Sequence, residues 1–226
     1  DYFACGLGGA RERLVVIPVG AEEAVFAQQP WPVKPSSAPL ELTFFGTFIG
    51  LQGVDVLAEA IRTYEGPPVR WRLIGEGPMR DACQTLLADL CIDGDGPGVV
   101  FEPWGPLLEL PGRLASSDAI LGIFGATDKA RRVIPNKVYQ GLAIGRPVIT
   151  ASTSAYPESL RANEDQGLFW ALPGDTASIQ AAVNRLQARR TMLLTLGQAA
   201  LTSYQAHFSN QVIAAGLNRI LSLIEH

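Results

Sequence analysis

Residues 118–150, DAILGIFGATDKARRVIPNKVYQGLAIGRPVIT, decide how this chain is read. They divide into a buried strand, a glycine-containing basic loop, a short helix opened by proline, and a second buried strand. In folds built on such units, a basic loop feeding a helix N-terminus at the carboxyl end of a strand is where anionic ligands are held. A phosphorylated ligand is the first inference.

Working outward, strand and helix patterns alternate from Leu40 onward. Leu42–Phe45 is a short apolar run, after which Val54, Leu57, Ala58 and Ile61 recur at helical spacing. Val69–Ile74 is the next strand, closed by Gly75-Glu76-Gly77-Pro78. A helix carrying Leu86, Leu87 and Leu90 follows and ends near Cys91. Val99–Glu102, Ala119–Phe124, Val148–Thr150 and Gly167–Ala171 supply further strands, with a short helix over Leu107–Ser116. Several strands lack polar alternation, so the pattern predicts an α/β fold: a Rossmann-like parallel sheet with helices on both faces. Right-handed crossovers place every strand-to-helix loop at one edge of that sheet. Those loops are Gly46–Gly53, Gly75–Pro78, Glu102–Pro106 and Gly125–Pro135, and the ligand belongs there.

Three units are predicted. Residues 1–39 hold a strand-like Leu14–Val19 and a proline-rich connector, residues 40–202 form the ligand-binding domain, and residues 203–226 a terminal helix. Asp175 reads as the N-cap of a helix bearing Ile179, Ala182, Val183 and Leu186. On the terminal helix, Ile213, Leu217, Ile220, Leu221 and Ile224 form a stripe that packs on its own core or docks on another domain.

Composition narrows the function. Of 226 residues, 47% are hydrophobic and 18% charged, which suits a sizeable core. A net charge of -4 argues against a general nucleic-acid binder, which needs a concentrated basic face. No apolar run approaches the roughly 20 residues that span a bilayer. Cys5, Cys83 and Cys91 read as buried free thiols of a reducing cytoplasm. Cys83 and Cys91, placed on one helix, would be separated by roughly 12 Å of rise, too far for a disulfide. With two histidines, His207 and His226, a zinc site is not indicated, and His207 reads as a helix-surface or interface residue.

Around the loop after Phe124, Pro135 is expected at the first helical position, making Ile134 the N-cap. Isoleucine has no oxygen with which to cap the first-turn amides, so those donors are left to water or a ligand. Lys129, Arg131, Arg132 and Lys137 lie within one loop and turn of that point. The turn Gly46-Thr47-Phe48-Ile49-Gly50-Leu51-Gln52-Gly53 permits close backbone approach to a ligand, though it is not a dinucleotide fingerprint and serves equally as a plain tight turn. Trp104 at the same edge either stacks on a nucleobase or plugs the end of the core.

Read together, VVIPVGAEEAVF (15–26), FFGTFIGLQGVDVLAEAI (44–61), RLIGEGP (72–78), the block from Leu121 to Thr150 and GLFWALPGD (167–175) resemble the C-terminal, donor-binding domain of retaining glycosyltransferases of the two-domain GT-B fold. The resemblance implies transfer of a hexose-type sugar from a UDP- or GDP-type nucleoside diphosphate to a glycan or lipid-linked acceptor. It implies no cofactor, no bound metal and no protein nucleophile. It also implies an N-terminal acceptor domain that this chain lacks, so that residues 1–226 alone bind nucleotide and transfer sugar poorly. The location implied is cytoplasmic, peripheral to the inner membrane in a full-length protein. Non-catalytic nucleotide-sugar modules and half of a nucleotide-sugar epimerase are the alternatives.

Residue reading and resemblance together put donor contacts at Gly46, Thr47, Gly75, Trp104, Gly125, Asp128, Pro135, Asn136 and Gln140, with pairing to a neighbouring arginine an equal alternative for Asp128. Lys129, Arg132 and Lys137 are the groups expected to stabilise charge on the leaving diphosphate. The chain departs from the family at several of these positions. Two glutamates with seven residues between them are usual, the second on the ribose hydroxyls, and here those positions hold Arg132 and Gln140. Many members carry arginine and lysine in the first glycine turn, where this chain has Thr47 and Gln52. The positive charge is therefore expected from the later loop, with Lys129→Ala and Lys137→Ala each weakening UDP or GDP binding several-fold.

Overall fold

The segment LELTFF forms β1 (Leu40–Phe45) with every residue buried, which requires cover on both faces of the strand. In the computed structural model, which describes residues 15–224, that cover comes from helices packed on either side of a six-stranded sheet. The strands are β1, β2 (Val69–Ile74), β3 (Gly98–Glu102), β4 (Ala119–Leu121), β5 (Val148–Ala151) and β6 (Leu168–Ala171), all parallel, in spatial order β3-β2-β1-β4-β5-β6. The order reverses between β1 and β4, and ligands of open α/β sheets bind in the crevice outside such a reversal.

Side-chain alternation sorts the core. Leu42, Phe44, Trp71, Leu121 and Ile149 pack against α1 (Val54–Arg62), α2 (Arg80–Leu86) and α6 (Thr176–Ala188). Phe45, Ile74, Ile120, Val148 and Leu168 face α3 (Leu110–Leu114), α4 (Asn136–Ala143), α5 (Glu158–Arg161) and α7 (Leu193–His207). Helix α8 (Asn210–Ile224) follows, and α7 runs across position 202 without a break. Asp175 caps α6 as the sequence suggests, accepting from the Ser178 amide at 2.9 Å. Among the described residues no helix is long and apolar enough to cross a membrane.

Several local expectations are corrected. Residues 15–19 form no strand, and Leu14, Cys5 and His226 lie outside the described residues. Helix α2 stops at Leu86, before a 3-10 turn over Ala88–Leu90, so Cys83 is buried while Cys91 is exposed beyond the turn. β4 is regular to Leu121, Gly122 still donates to the Ile149 carbonyl and Ile123 accepts from the Ala151 amide, and the chain leaves the ladder only at Phe124, whose amide donates to the Gln52 carbonyl at 2.9 Å. On α8, Leu217 and Leu221 are exposed, so that stripe is incompletely covered within these residues.

The amino edge of the sheet is tied by polar groups. Asp118 accepts from Lys34 and from the Glu41 amide, and Thr43 hydrogen-bonds Ser117. Arg72 donates to Glu41, Glu102, Ser116 and the Arg113 carbonyl, while Arg113 holds the other oxygen of Glu102. Burial alone would raise the Glu102 carboxyl, but hydrogen bonds from Arg72 and Arg113 outweigh it and leave the group below its usual value. A carboxyl depressed on folding stabilises the protein above its unfolded pKa, and that contribution is lost as pH falls through the folded value. The urea midpoint is therefore expected to drop on acidification below about pH 4.3, less steeply in Glu102→Gln.

Candidate functional site

At the carboxyl edge the loops after β1, β2 and β4 interlock through backbone. Gly75 has φ +134, and a Cβ there would overlap the Gly46 carbonyl oxygen. The Phe48 amide donates to the Glu76 carbonyl at 2.8 Å, and Met79 donates back to the Phe48 carbonyl at 3.1 Å. Gly53, at φ +66, brings the start of α1 against the Gly125 backbone. Gly75→Ala is expected to lower the thermal midpoint by several degrees and to abolish ligand binding, because the β1 and β2 loops would be forced apart.

This packing leaves backbone donors at the rim. The amides of Thr47, Asn136 and Lys137 donate to no acceptor among the described residues. The opening of α4 differs from the sequence expectation: the helix begins at Asn136, and Pro135 with ψ 148 takes the N-cap position instead of Ile134. Proline brings no capping oxygen either, and no side chain caps the helix. Its first closed bond runs from the Val138 amide to the Pro135 carbonyl at 2.9 Å.

Lys137 is the group that connects helix and glycine turn. Although it is a lysine, it is only 5% exposed. Its Nζ donates to Gln52 Oε1, lies 3.6 Å from the centre of the Phe44 ring, and stands close under Gly46. No described carboxylate pairs with it. Burial holds its amino group well below the usual lysine value. A buried cation without a counter-charge is costly, and an arriving anion removes the cost.

The other basic residues do not join it. Lys129 is exposed, Arg131 is exposed with its Nε turned to the Ala126 carbonyl, and Arg132 pairs with Asp128 at 3.1 Å across the surface. Of the four expected cations only Lys137 is buried beside the glycine turn, while the three on the loop before α4 are exposed at and around the 3-10 turn Ala130–Arg132. Gly46, Thr47, Gly75, Gly125, Pro135, Asn136 and Lys137 do share the rim. Trp104 is half exposed beyond β3, which rules out the core-plug alternative. Gln140 is buried on α4 and donates to Glu22 Oε2 at 3.1 Å.

Phe44 and Glu22 were absent from the sequence-derived site. The alternation in LELTFF buries Phe44, but nothing local shows that it lies under Lys137. Glu22 is 118 positions from Gln140, a separation that no spacing rule crosses.

The family described as Glycosyl transferases group 1 matches residues 39–189, more than half of the chain. The sequence is 27% identical over 227 aligned positions to the Escherichia coli (strain K12) protein named "Putative colanic acid biosynthesis glycosyltransferase WcaL", covering 96% of this chain and 53% of that protein. The chain thus spans about half the length of this relative. A glycosyltransferase from Rickettsia africae ESF-5 superposes with a TM-score of 0.73 at 14% identity, over 100% of this chain and 61% of the other. Anabaena Alr3699/HepE, solved in complex with UDP, gives 0.71 at 16%, over 97% and 59%. These structural likenesses establish a GT-B glycosyltransferase domain fold.

Proposed function

The chain belongs to the Glycosyl transferases group 1 family, and from that membership we propose that it holds the nucleotide-sugar donor of a retaining hexosyltransferase. The observation that carries this reading is Lys137, buried without a carboxylate between the glycine turn and the uncapped start of α4. A diphosphate placed there meets the amides of Thr47, Asn136 and Lys137, the positive end of the α4 dipole, and one ammonium. The dipole contribution alone is roughly 0.3–2 kcal/mol.

In sugar transfer, breaking the anomeric bond builds negative charge on the departing β-phosphate. Donors already fixed by the fold stabilise that charge without reorganising at the moment of reaction. Lys137 and the three amides take this role. Trp104 presents an exposed aromatic face suited to a nucleobase, while Asp128 stays in its pair with Arg132. The donor is of the UDP or GDP type and the acceptor a glycan or lipid-linked sugar. The acceptor half is assigned to chain beyond these 226 residues, so turnover by them alone is expected to be slow.

Thr47, Gln52 and Gln140 favour a second reading, a module that binds nucleotide sugar without transferring it. A thermal-shift panel of UDP, GDP, ADP and TDP tests the main reading. At least one is expected to raise the midpoint by several degrees, and a panel with no shift contradicts it. Slow hydrolysis of the bound donor would separate the catalytic reading from the binding module.

A further inference from the structure

We propose that Lys137 stands in the empty site as the neutral amine and takes up a proton when a diphosphate binds, so that donor binding draws a proton from solvent. The inference rests on the reading of this rim as a nucleoside-diphosphate site.

The surroundings of the amino group carry the argument. From β1 it faces the Phe44 ring, and from the glycine turn the side-chain oxygen of Gln52. Neither bears charge. A neutral amine still donates to Gln52, so this contact does not demand the ammonium form. The neighbouring elements do carry acids, and each is turned elsewhere. Glu76 after β2 pairs with Arg80 at 3.1 Å, Asp128 after β4 pairs with Arg132, Glu22 against α4 accepts from Gln140 at 3.1 Å, and Asp55 in the first turn of α1 is exposed. Arg131 and Lys129 are exposed, and on α4 itself Tyr139 packs edge-on against Phe208. Among the described residues no carboxylate lies within ion-pair distance of Lys137.

The Phe44 ring face and the Gln52 oxygen favour the ammonium only modestly, no carboxylate offsets its desolvation, and burial accordingly depresses its pKa. A diphosphate at the amides of Thr47 and Asn136 supplies the missing negative charge and restores the protonated form. The amine lone pair accepts a proton from water or buffer, and no covalent bond of the ligand changes. The direction follows from linkage. The empty site has the lower pKa and the complex the higher one, so affinity falls as pH rises between them. The limiting slope is about tenfold per pH unit, one proton per ligand.

Isothermal titration calorimetry of UDP-glucose tests this. Its diphosphate is esterified at both ends and does not titrate in the neutral range. At about pH 8, titrations in HEPES and in Tris, which differ in ionisation enthalpy, are expected to give heats that differ between the two buffers in the sense of net proton uptake on binding. Lys137→Arg keeps a fixed charge and is expected to bind without uptake. Lys137→Met guards against an arginine that does not fit, and its residual binding is expected to be free of proton exchange. Wild-type binding with buffer-independent heat overturns the inference and leaves the site reading standing. If UDP-glucose and its GDP, ADP and TDP counterparts all fail to bind, both fall together.

Discussion

Replacing Lys137 by methionine is expected to leave the protein folded and to weaken UDP binding by about tenfold to a hundredfold. A hydrogen bond to a charged group contributes about 1.5–3 kcal/mol, and every 1.4 kcal/mol is a factor of ten. Methionine has nearly the length of lysine and no amino group to desolvate under Phe44, so the thermal midpoint should hold or rise. Titration calorimetry with UDP reads the affinity, and thermal unfolding reads the fold. The sequence alone put Lys129 on the same footing. In the structure Lys129 is exposed on the loop after β4, and Lys129→Ala is expected to cost less than about threefold. Equal losses at the two positions would mean that the loop closes over the ligand and that the single-cation site is wrong. A Lys137→Met affinity within twofold of wild type would remove the lysine from the site.

Arg146→Ala is expected to destabilise the chain by about 3–5 kcal/mol, the range for removing one partner of a buried charged network. The guanidinium is 1% exposed and donates to the carbonyls of Ser117, Gln29, Pro30, Ala115, Ile144 and Gly145. It also stacks on Trp31, 4.7 Å from the ring centre. Burial lowers its pKa to about 10, opposed by the nearby charge of Asp118. The arginine therefore remains protonated at neutral pH while fastening the proline-rich connector to the amino edge of the sheet. Alanine would strand several carbonyl oxygens at once, each a buried acceptor without a donor. Lysine should recover only part of the loss, because an ammonium cannot fork between carbonyls on two segments. Urea unfolding measures both variants, and a midpoint unchanged in Arg146→Ala would show that the connector is not held this way.

Much of the fold was legible because its signals are local. The apolar runs at Leu42–Phe45 and Val69–Ile74, the helical spacing of Val54, Leu57, Ala58 and Ile61, and Asp175 ahead of α6 each specify their element within a few residues. Boundaries failed where a distant partner decides them. Ala119–Phe124 reads as one strand, but the Gln52 carbonyl draws Phe124 out of the ladder. Likewise, Leu14–Val19 has strand-like residues, yet residues 15–19 join no sheet. Within the candidate site, the sequence placed on one rim the loops that the structure brings together there, and overstated the buried charge. Position along the chain cannot tell that Arg132 turns to Asp128 while Lys137 turns inward to Gln52 and Phe44. Those directions are set by contacts up to 93 residues away, such as that between Phe44 and Lys137.

Hydrogen–deuterium exchange with and without UDP tests the central assignment most directly, since the proposed site would hold the ligand largely by backbone amides. Binding at the rim is expected to slow exchange in the segments containing Thr47 and Asn136–Lys137. Exchange should be unaltered in the concavity at the opposite edge, lined by Gln28, Trp31, Arg146 and Gly197. Saturation by UDP with no protection of Thr47, Asn136 and Lys137, or with protection confined to that opposite edge, would contradict the account.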